Sequence, residues 1–394
     1  MASTRAAVLA LVLASWSGVA QAATYTNYRN FTGSSFFSGF SFVTGYDNTT
    51  TGDVVYQQNS SLAYVDSSGN AIMKVATDFV PYNEKRNSVK IQSQEGYGLG
   101  SVMVLDATHV PYGCSVWPAW YTVGYGVTWP SGGEMDIIEQ QNRAQYNQMS
   151  LHTAGTCTQP TTVTQTGTQG STNCAVGTSN TGCTVQTTNA NSYGAGFNSN
   201  NGGVYALEFA STGINMWFFP RASIPSDISS GSTSVDPTTW GTATAAYPAS
   251  SCSMGNFAAQ QLIITTTLCG QWAGLPSVYS QTCGSGTANA SSCYLENVIN
   301  AGDYAEAYWS IRSLRVYSNG TPNVTGTISS SASTTTQQAG GGAQGGSGSS
   351  GSGGSGTGSS ASPSGSTRAS SAAQLFAPAF AAVGALAFAF LTLA

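Results

Sequence analysis

Residues 131–142 read SGGEMDIIEQQN. Glu134, Asp136 and Glu139 crowd into this one run beside Met135, Ile137 and Ile138, in a chain that is only 7% charged. Carboxylates set among apolar residues cost several kcal/mol to bury unless something pairs or uses them. The run is β-forming, and side chains on a strand alternate between its two faces. Glu134 and Asp136 therefore share a face. Glu139 lies three residues beyond Asp136 and would point the other way on a regular strand. One inserted residue, a β-bulge, returns it to the same face. With that bulge the three acids form a single row, while Met135 and one or both of Ile137 and Ile138 pack into a core.

Working outward, the same strand character recurs. AIMKVATDF, NSVKIQSQ, LGSVMVLDATHV, NQMSLHT, VYALEFA, INMWFF, QQLIITTTL and YWSIRSLRVYS are short runs rich in Val, Ile, Tyr, Phe and Thr. Turn residues such as Ser67–Ser68–Gly69–Asn70 and Ser131–Gly132–Gly133 separate them. Several alternate in polarity, and no long helical period or fixed repeat stands out. Many short antiparallel strands over about 300 residues predict an all-β fold of two packed sheets, a jelly-roll type of sandwich.

A row of carboxylates on one sheet face is the equipment for glycoside hydrolysis. One carboxylate attacks the anomeric carbon; the other protonates the leaving oxygen and then activates water. Like charges close together raise at least one pKa and keep the acid protonated. Two other readings fit the same three residues: a structural calcium site, which takes six to eight oxygens, and a solvated strand face. Just upstream, GCSVWPAWYTVGYGVTWPSGGE brings Trp117, Trp120, Tyr121 and Trp129 near the acids. Aromatic faces stack on the apolar faces of sugar rings, although any single Trp also suits a core.

WPSGGEMDIIEQQN resembles the active-site signature of glycoside hydrolase family 16, in the bulged E-x-D-x-x-E form found in laminarinase-type β-1,3- and β-1,3(4)-glucanases. FFSGFSFVTG, RNSVKIQS, GCSVWPAWYTVG, NQMSLHT, CGQWAG and EAYWSIRSLRVY are similar, in the same order, to segments of its fungal laminarinase-like branch. The likeness covers about residues 25–318. It implies a β-jelly-roll of two curved antiparallel sheets with a sugar cleft on the concave face. It implies endo-hydrolysis of β-1,3 or mixed β-1,3/1,4 glucans with retention. By position it makes Glu134 the nucleophile, Glu139 the acid/base and Asp136 their electrostatic helper. It places Trp120, Trp129 and Trp272 along the sugar subsites, His152 near the acid/base, and Arg86 within reach of substrate hydroxyls or of an acid; Trp117 is a further substrate-binding candidate from the aromatic cluster beside the acids. Gln140–Gln141 and Gln271 depart from residues common in relatives, and bear on substrate preference more than on catalysis. A wall-glucan transglycosylase and a non-catalytic glucan-binding surface protein are alternatives on the same scaffold.

The rest of the chain sets the context. Residues 1–22 are expected to be a secretory signal peptide, with Arg5, an apolar stretch and Ala20–Gln21–Ala22. The folded domain is expected over 23–325, a Ser/Gly/Thr-rich disordered stalk over 326–371, and a hydrophobic GPI-attachment tail over 372–394. A tail-anchoring helix is the alternative for that last stretch. Eight cysteines without C-x-x-C spacing in a secreted chain favour disulfides, with the pairing open. Sequons at Asn30, Asn48, Asn59, Asn289, Asn319 and Asn323 fit a secretory route to the cell surface, plasma membrane or wall. A net charge of −5 with no basic patch gives no argument for nucleic acid. The protein is expected to act as a monomer on β-glucan, attached to the membrane through the anchor. No cofactor or catalytic metal is called for, and a structural calcium is left open.

Overall fold

The computed structural model describes residues 24–328, except 178–180, 230–231, 285–287 and 321–322. The expected signal peptide, the tail and all but the first residues of the stalk lie outside the described residues. The principal strands are β1 (Tyr25–Thr32), β2 (Phe40–Phe42), β3 (Ala71–Lys74), β4 (Lys90–Tyr97), β5 (Ser101–His109), β6 (Val116–Gly124) and β7 (Glu134–Glu139). There follow β8 (Gln148–His152), β9 (Cys183–Gln186), β10 (Gly203–Ala210), β11 (Gly213–Pro220), β12 (Ala245–Pro248), β13 (Gln260–Leu268) and β14 (Tyr308–Ser318).

They form two large antiparallel sheets. One runs β1-β14-β5-β10-β11-β12, with β3 against the start of β14; the other runs β9-β8-β7-β6-β13-β4-β2. The strand expectations hold for the long central runs. AIMKVATDF stops pairing after Lys74, and RNSVKIQSQ is split at Val89 between a short strand, Arg86–Ser88, and β4.

Alternation along the strands builds the core. Ile91, Trp120, Met135, Leu151, Leu262 and Ile264 of one sheet meet Met103, Leu105, Leu207, Met216, Trp309 and Leu314 of the other. Burying a side chain of this size is worth about 1.5–3 kcal/mol, so this layer dominates the cohesion of the domain. The opposite face of the β1/β14 sheet is covered by a second cluster that includes Trp217 and Trp240. A third cluster that includes Val116 and Leu268 covers one end of the β7 sheet, and among the described residues the rest of its opposite face forms the floor of a cleft.

Two short helices stand at one end of that floor, α1 (Gly270–Ala273) and α2 (Pro276–Thr282). They are tied down by Cys269–Cys293 and by Cys114–Cys283, the latter fixing α2 to the start of β6. Cys157–Cys252 and Cys174–Cys183 fasten the loops after β8. No cysteine is left free.

Candidate active site

The bulge lies within β7. Across the β6 pairing, Trp120 faces Ile138 and Tyr121 faces Asp136, so Ile137 is the extra residue. Across the β8 pairing, Asp136 faces Ser150 and Glu139 faces Gln148, which leaves Ile137 and Ile138 opposite Met149 alone. Both isoleucines are fully buried in the core. Glu134, Asp136 and Glu139 all line the cleft. At the head of β7, Gly133 has φ +69, and a Cβ there would come within 2.2 Å of the Phe257 ring. The turn can tuck under that loop only because Gly133 lacks a side chain.

Each acid is held by its own partner. The Trp129 indole N–H donates to Glu134 Oε2 at 2.5 Å, and the Trp117 indole N–H donates to Glu139 Oε1 at 3.0 Å. Ser150 Oγ donates to Asp136 Oδ2 at 2.6 Å, and His152 Nε2 lies 3.2 Å from the same oxygen. Burial, then the neighbouring Asp136 charge, pushes the Glu134 and Glu139 carboxyls each up to about 8. Burial also raises Asp136, to about 7, against the lowering effect of its hydrogen bonds with Ser150 and Glu134. Three clustered carboxyls cannot all ionise readily, so the row shares protons and titrates as a unit.

The cleft has a volume of about 730 Å³. Its floor is made by β6, β13 and β4: Ala119, Tyr121, Ile263, Thr265, Thr267 and Lys90. The Lys90 ammonium sits 5.7 Å from the Tyr56 ring centre and 5.9 Å from that of Tyr121. One wall is Trp272 of α1, packed edge-on against Trp117 at 5.4 Å. A lip at Thr49 and Thr50 is organised by buried Asp47, which accepts from Thr49 Oγ1 at 2.7 Å, from the Thr50 hydroxyl and from Thr267 Oγ1 at 2.7 Å. Burial alone would raise the Asp47 pKa, but these donors outweigh it and bring it down to about 2.

Of the residues singled out from sequence, Glu134, Asp136, Glu139, Trp117, Trp129, His152 and Trp272 converge on the cleft. Trp120 does not. It is wholly buried and belongs to the core between the sheets. The reason is phase: Trp117, Ala119, Tyr121 and Val123 of β6 face the cleft, so Trp120 faces inward. Arg86 does not reach the cleft either. It is buried, donates to the carbonyls of Val298, Ala76, Asp78 and Asn300, and lies over the Tyr304 ring. Its place as a basic residue facing the sugar side is taken by Lys90, four residues on. His152 stands opposite Glu134 in the ladder, beside Asp136, and is near enough to act on Glu139 as well.

The sequence reading did not find Lys90, the Thr49–Thr50 lip or Asn147, whose side chain bridges the bulge, whereas Tyr121, grouped there with the nearby indoles, does line the cleft. It gave Asn142 no role and connected Gln140 only with substrate preference. Gln140 Nε2 donates to Tyr146 O at 2.7 Å and closes the turn after β7. Asn142 takes φ +53, accepts from the Ser115 N–H at 2.8 Å and donates to Ala273 O at 3.0 Å, which joins that turn to the Trp272 helix.

A jelly-roll whose concave sheet carries an acid triad between indole walls is the scaffold of a carbohydrate-cleaving enzyme. Residues 40–317 match the XgeA-like catalytic GH16 domain, and the chain belongs to glycoside hydrolase family 16. It is 39% identical over 305 residues to a probable glycosidase of Schizosaccharomyces pombe, covering 75% of this chain and 70% of that protein. It is 36% identical over 330 residues to a probable endo-1,3(4)-β-glucanase of Aspergillus fumigatus, covering 81% of this chain and 48% of that one. The chain thus spans about half the length of the Aspergillus relative. Among solved structures it resembles laminarinase 16A from Phanerochaete chrysosporium, with β-glucans (6-O-glucosyl-laminaritriose) in both donor and acceptor sites. Here the identity is 39% and the TM-score 0.68, over 75% of this chain and 99% of that one.

Proposed function

We propose that the protein is an endo-acting, retaining hydrolase of β-1,3 or mixed β-1,3/1,4 glucan. The bulge in β7 carries this reading, because it sets Glu134 and Glu139 on one cleft face with Asp136 between them. Glu134 is the nucleophile. It attacks the anomeric carbon while Glu139 gives its proton to the leaving oxygen; Glu139 then takes a proton from water, which releases the sugar with its original configuration. The raised proton affinity of Glu139 suits it to hold that proton near neutral pH. Asp136 hydrogen-bonds Glu134 and is itself oriented by Ser150 and His152. The indole faces of Trp129, Trp117 and Trp272 supply stacking surface for successive glucose rings.

The test is reducing-sugar release from laminarin, lichenan and xyloglucan compared side by side, with the anomer first formed followed by NMR. Release from the first two as the β-anomer is expected. An α-anomer would refute the roles given to the two glutamates, and release from xyloglucan alone would refute the substrate class.

A second reading is transfer to another sugar. Trp117 and Trp272 pair on the Glu139 side, where an acceptor hydroxyl would be activated in place of water. Sizing the products from β-1,3-oligosaccharides separates the two, since only transfer yields chains longer than the substrate. Four disulfides and the sequons support a secreted enzyme working on wall glucan. Its tethering through residues 372–394 is part of the same proposal.

A further inference from the structure

At the bulge, two residues of β7 face one of β8, so the ladder cannot satisfy every backbone group there. Asn147, the residue before β8, closes the gap with its side chain. Its Oδ1 accepts the Glu139 N–H at 3.0 Å, and its Nδ2 donates to the Ile137 carbonyl at 2.8 Å. A carboxamide offers one acceptor and two donors, so it replaces the bonds a neighbouring peptide would have made.

Asn147 is itself held firmly. Its N–H donates to Ser192 Oγ at 3.1 Å, and its carbonyl accepts the Thr187 N–H at 2.9 Å. It is fully buried and does not line the cleft, so no sugar reaches it. Both of its side-chain bonds fall on the two residues that decide which way Glu139 faces. Without them the Glu139 N–H and Ile137 carbonyl lose these bonds, and the bulge loses a restraint against relaxing to a regular strand, in which Glu139 would point into the core.

We propose that Asn147 is the positioning residue for the proton donor: by clamping the bulge it turns Glu139 toward the glycosidic oxygen. This rests on the reading of Glu139 as acid/base. A displacement of about 1 Å in a reacting group is enough to cost roughly 100-fold in rate.

The experiment compares two substrates on the full-length secreted protein. One is a β-1,3-gluco-oligosaccharide, whose leaving sugar hydroxyl needs a proton. The other is the 2,4-dinitrophenyl glycoside of the β-1,3-linked disaccharide, with azide present. Dinitrophenolate departs without a proton, and azide attacks the glycosyl-enzyme without a base.

Asn147→Ala is expected to lose about 100-fold in kcat on the oligosaccharide with KM held, and only a few-fold on the activated glycoside. Equal losses on both substrates, or none, would overturn the proposal, because general loosening of the fold does not discriminate between leaving groups. Glu139→Ala is run alongside. If that variant also fails to discriminate, the acid/base reading itself falls, whatever Asn147 does. Should Asn147→Ala not fold, Asn147→Leu carries the same comparison, because it keeps the shape but makes neither bond to the bulge.

Discussion

Replacing Asp136 with Asn removes the middle charge of the row while keeping its shape. In the β8 ladder Asp136 and Glu139 stand opposite Ser150 and Gln148, two residues apart. Two strand positions span about 6.6 Å of backbone, which sets the scale of the separation between the two charges. At an effective dielectric of about 20 the repulsion between two full charges at that distance is about 2.5 kcal/mol, or about 1.8 pKa units. Asp136 has its own pKa pushed up to about 7 and shares protons with both glutamates, so less than a full charge bears on Glu139. The observable part is therefore about one unit. The sign is fixed: Asp136 raises Glu139, so removing its charge lets Glu139 lose its proton at lower pH. Activity in the first step requires that proton, so the alkaline limb of kcat/KM is expected to move about one pH unit toward acid. The acid limb, set by ionisation of Glu134, moves the same way, because Asp136 raises that group too. The assay is the pH profile of kcat/KM on a β-1,3-oligosaccharide for wild type and Asp136→Asn. An alkaline limb that stays in place or moves upward would refute the electrostatic account of the triad.

Glu134→Gln and Glu139→Gln are each expected to lower turnover by at least about 100-fold while the thermal midpoint stays near wild type, measured by sugar release and calorimetry. Trp120→Ala is expected to cost about 3–5 kcal/mol of stability as a core truncation, whereas Trp117→Ala at the cleft costs little stability and lowers kcat. Denaturant titration beside kinetics separates the pair. Lys90→Met is expected to raise KM for oligosaccharides about tenfold with kcat held, since a hydrogen bond from a charged group is worth about 1.5–3 kcal/mol; an unchanged KM would remove Lys90 from the binding surface. Replacing Cys269 and Cys293 with Ser opens a loop of sequence separation 24, and is expected to cost about 3 kcal/mol and to weaken binding through Trp272.

The acid row was legible because its residues are local. Period-two alternation and one inserted residue suffice to place Glu134, Asp136 and Glu139 on a common face, and the pairings around Ile137 bear out that geometry. The same rule also held the information that was misread nearby. Trp117 and Trp120 are three apart in an unbroken pairing with β13, so they cannot share a face, and Trp120 belongs to the core. The family likeness had suggested otherwise for Trp120, and alternation decides between them. Arg86 and Lys90 are both basic and close in sequence, but the break at Val89 separates their environments, and composition does not reveal that break. Tyr56 and the Thr49–Thr50 lip reach the site from distant segments, and Asn147, though close in sequence, acts through side-chain bonds to the bulge that no local pattern encodes. Cysteine pairing was open for the same reason: three of the four bridges join residues between 24 and 169 positions apart.

Trp129 and Trp117 each give their single N–H to one of the two glutamates. An indole so engaged has an emission that depends on the state of its acceptor. When Glu134 becomes an ester to sugar its carboxylate charge vanishes, and the Trp129 signal is expected to shift at the rate of that step; Trp117 follows the departing proton on the other side. The cleft therefore carries two built-in optical probes, one at each glutamate, and on the proposed mechanism both are expected to respond in the first step, which stopped-flow fluorescence can time without a dye.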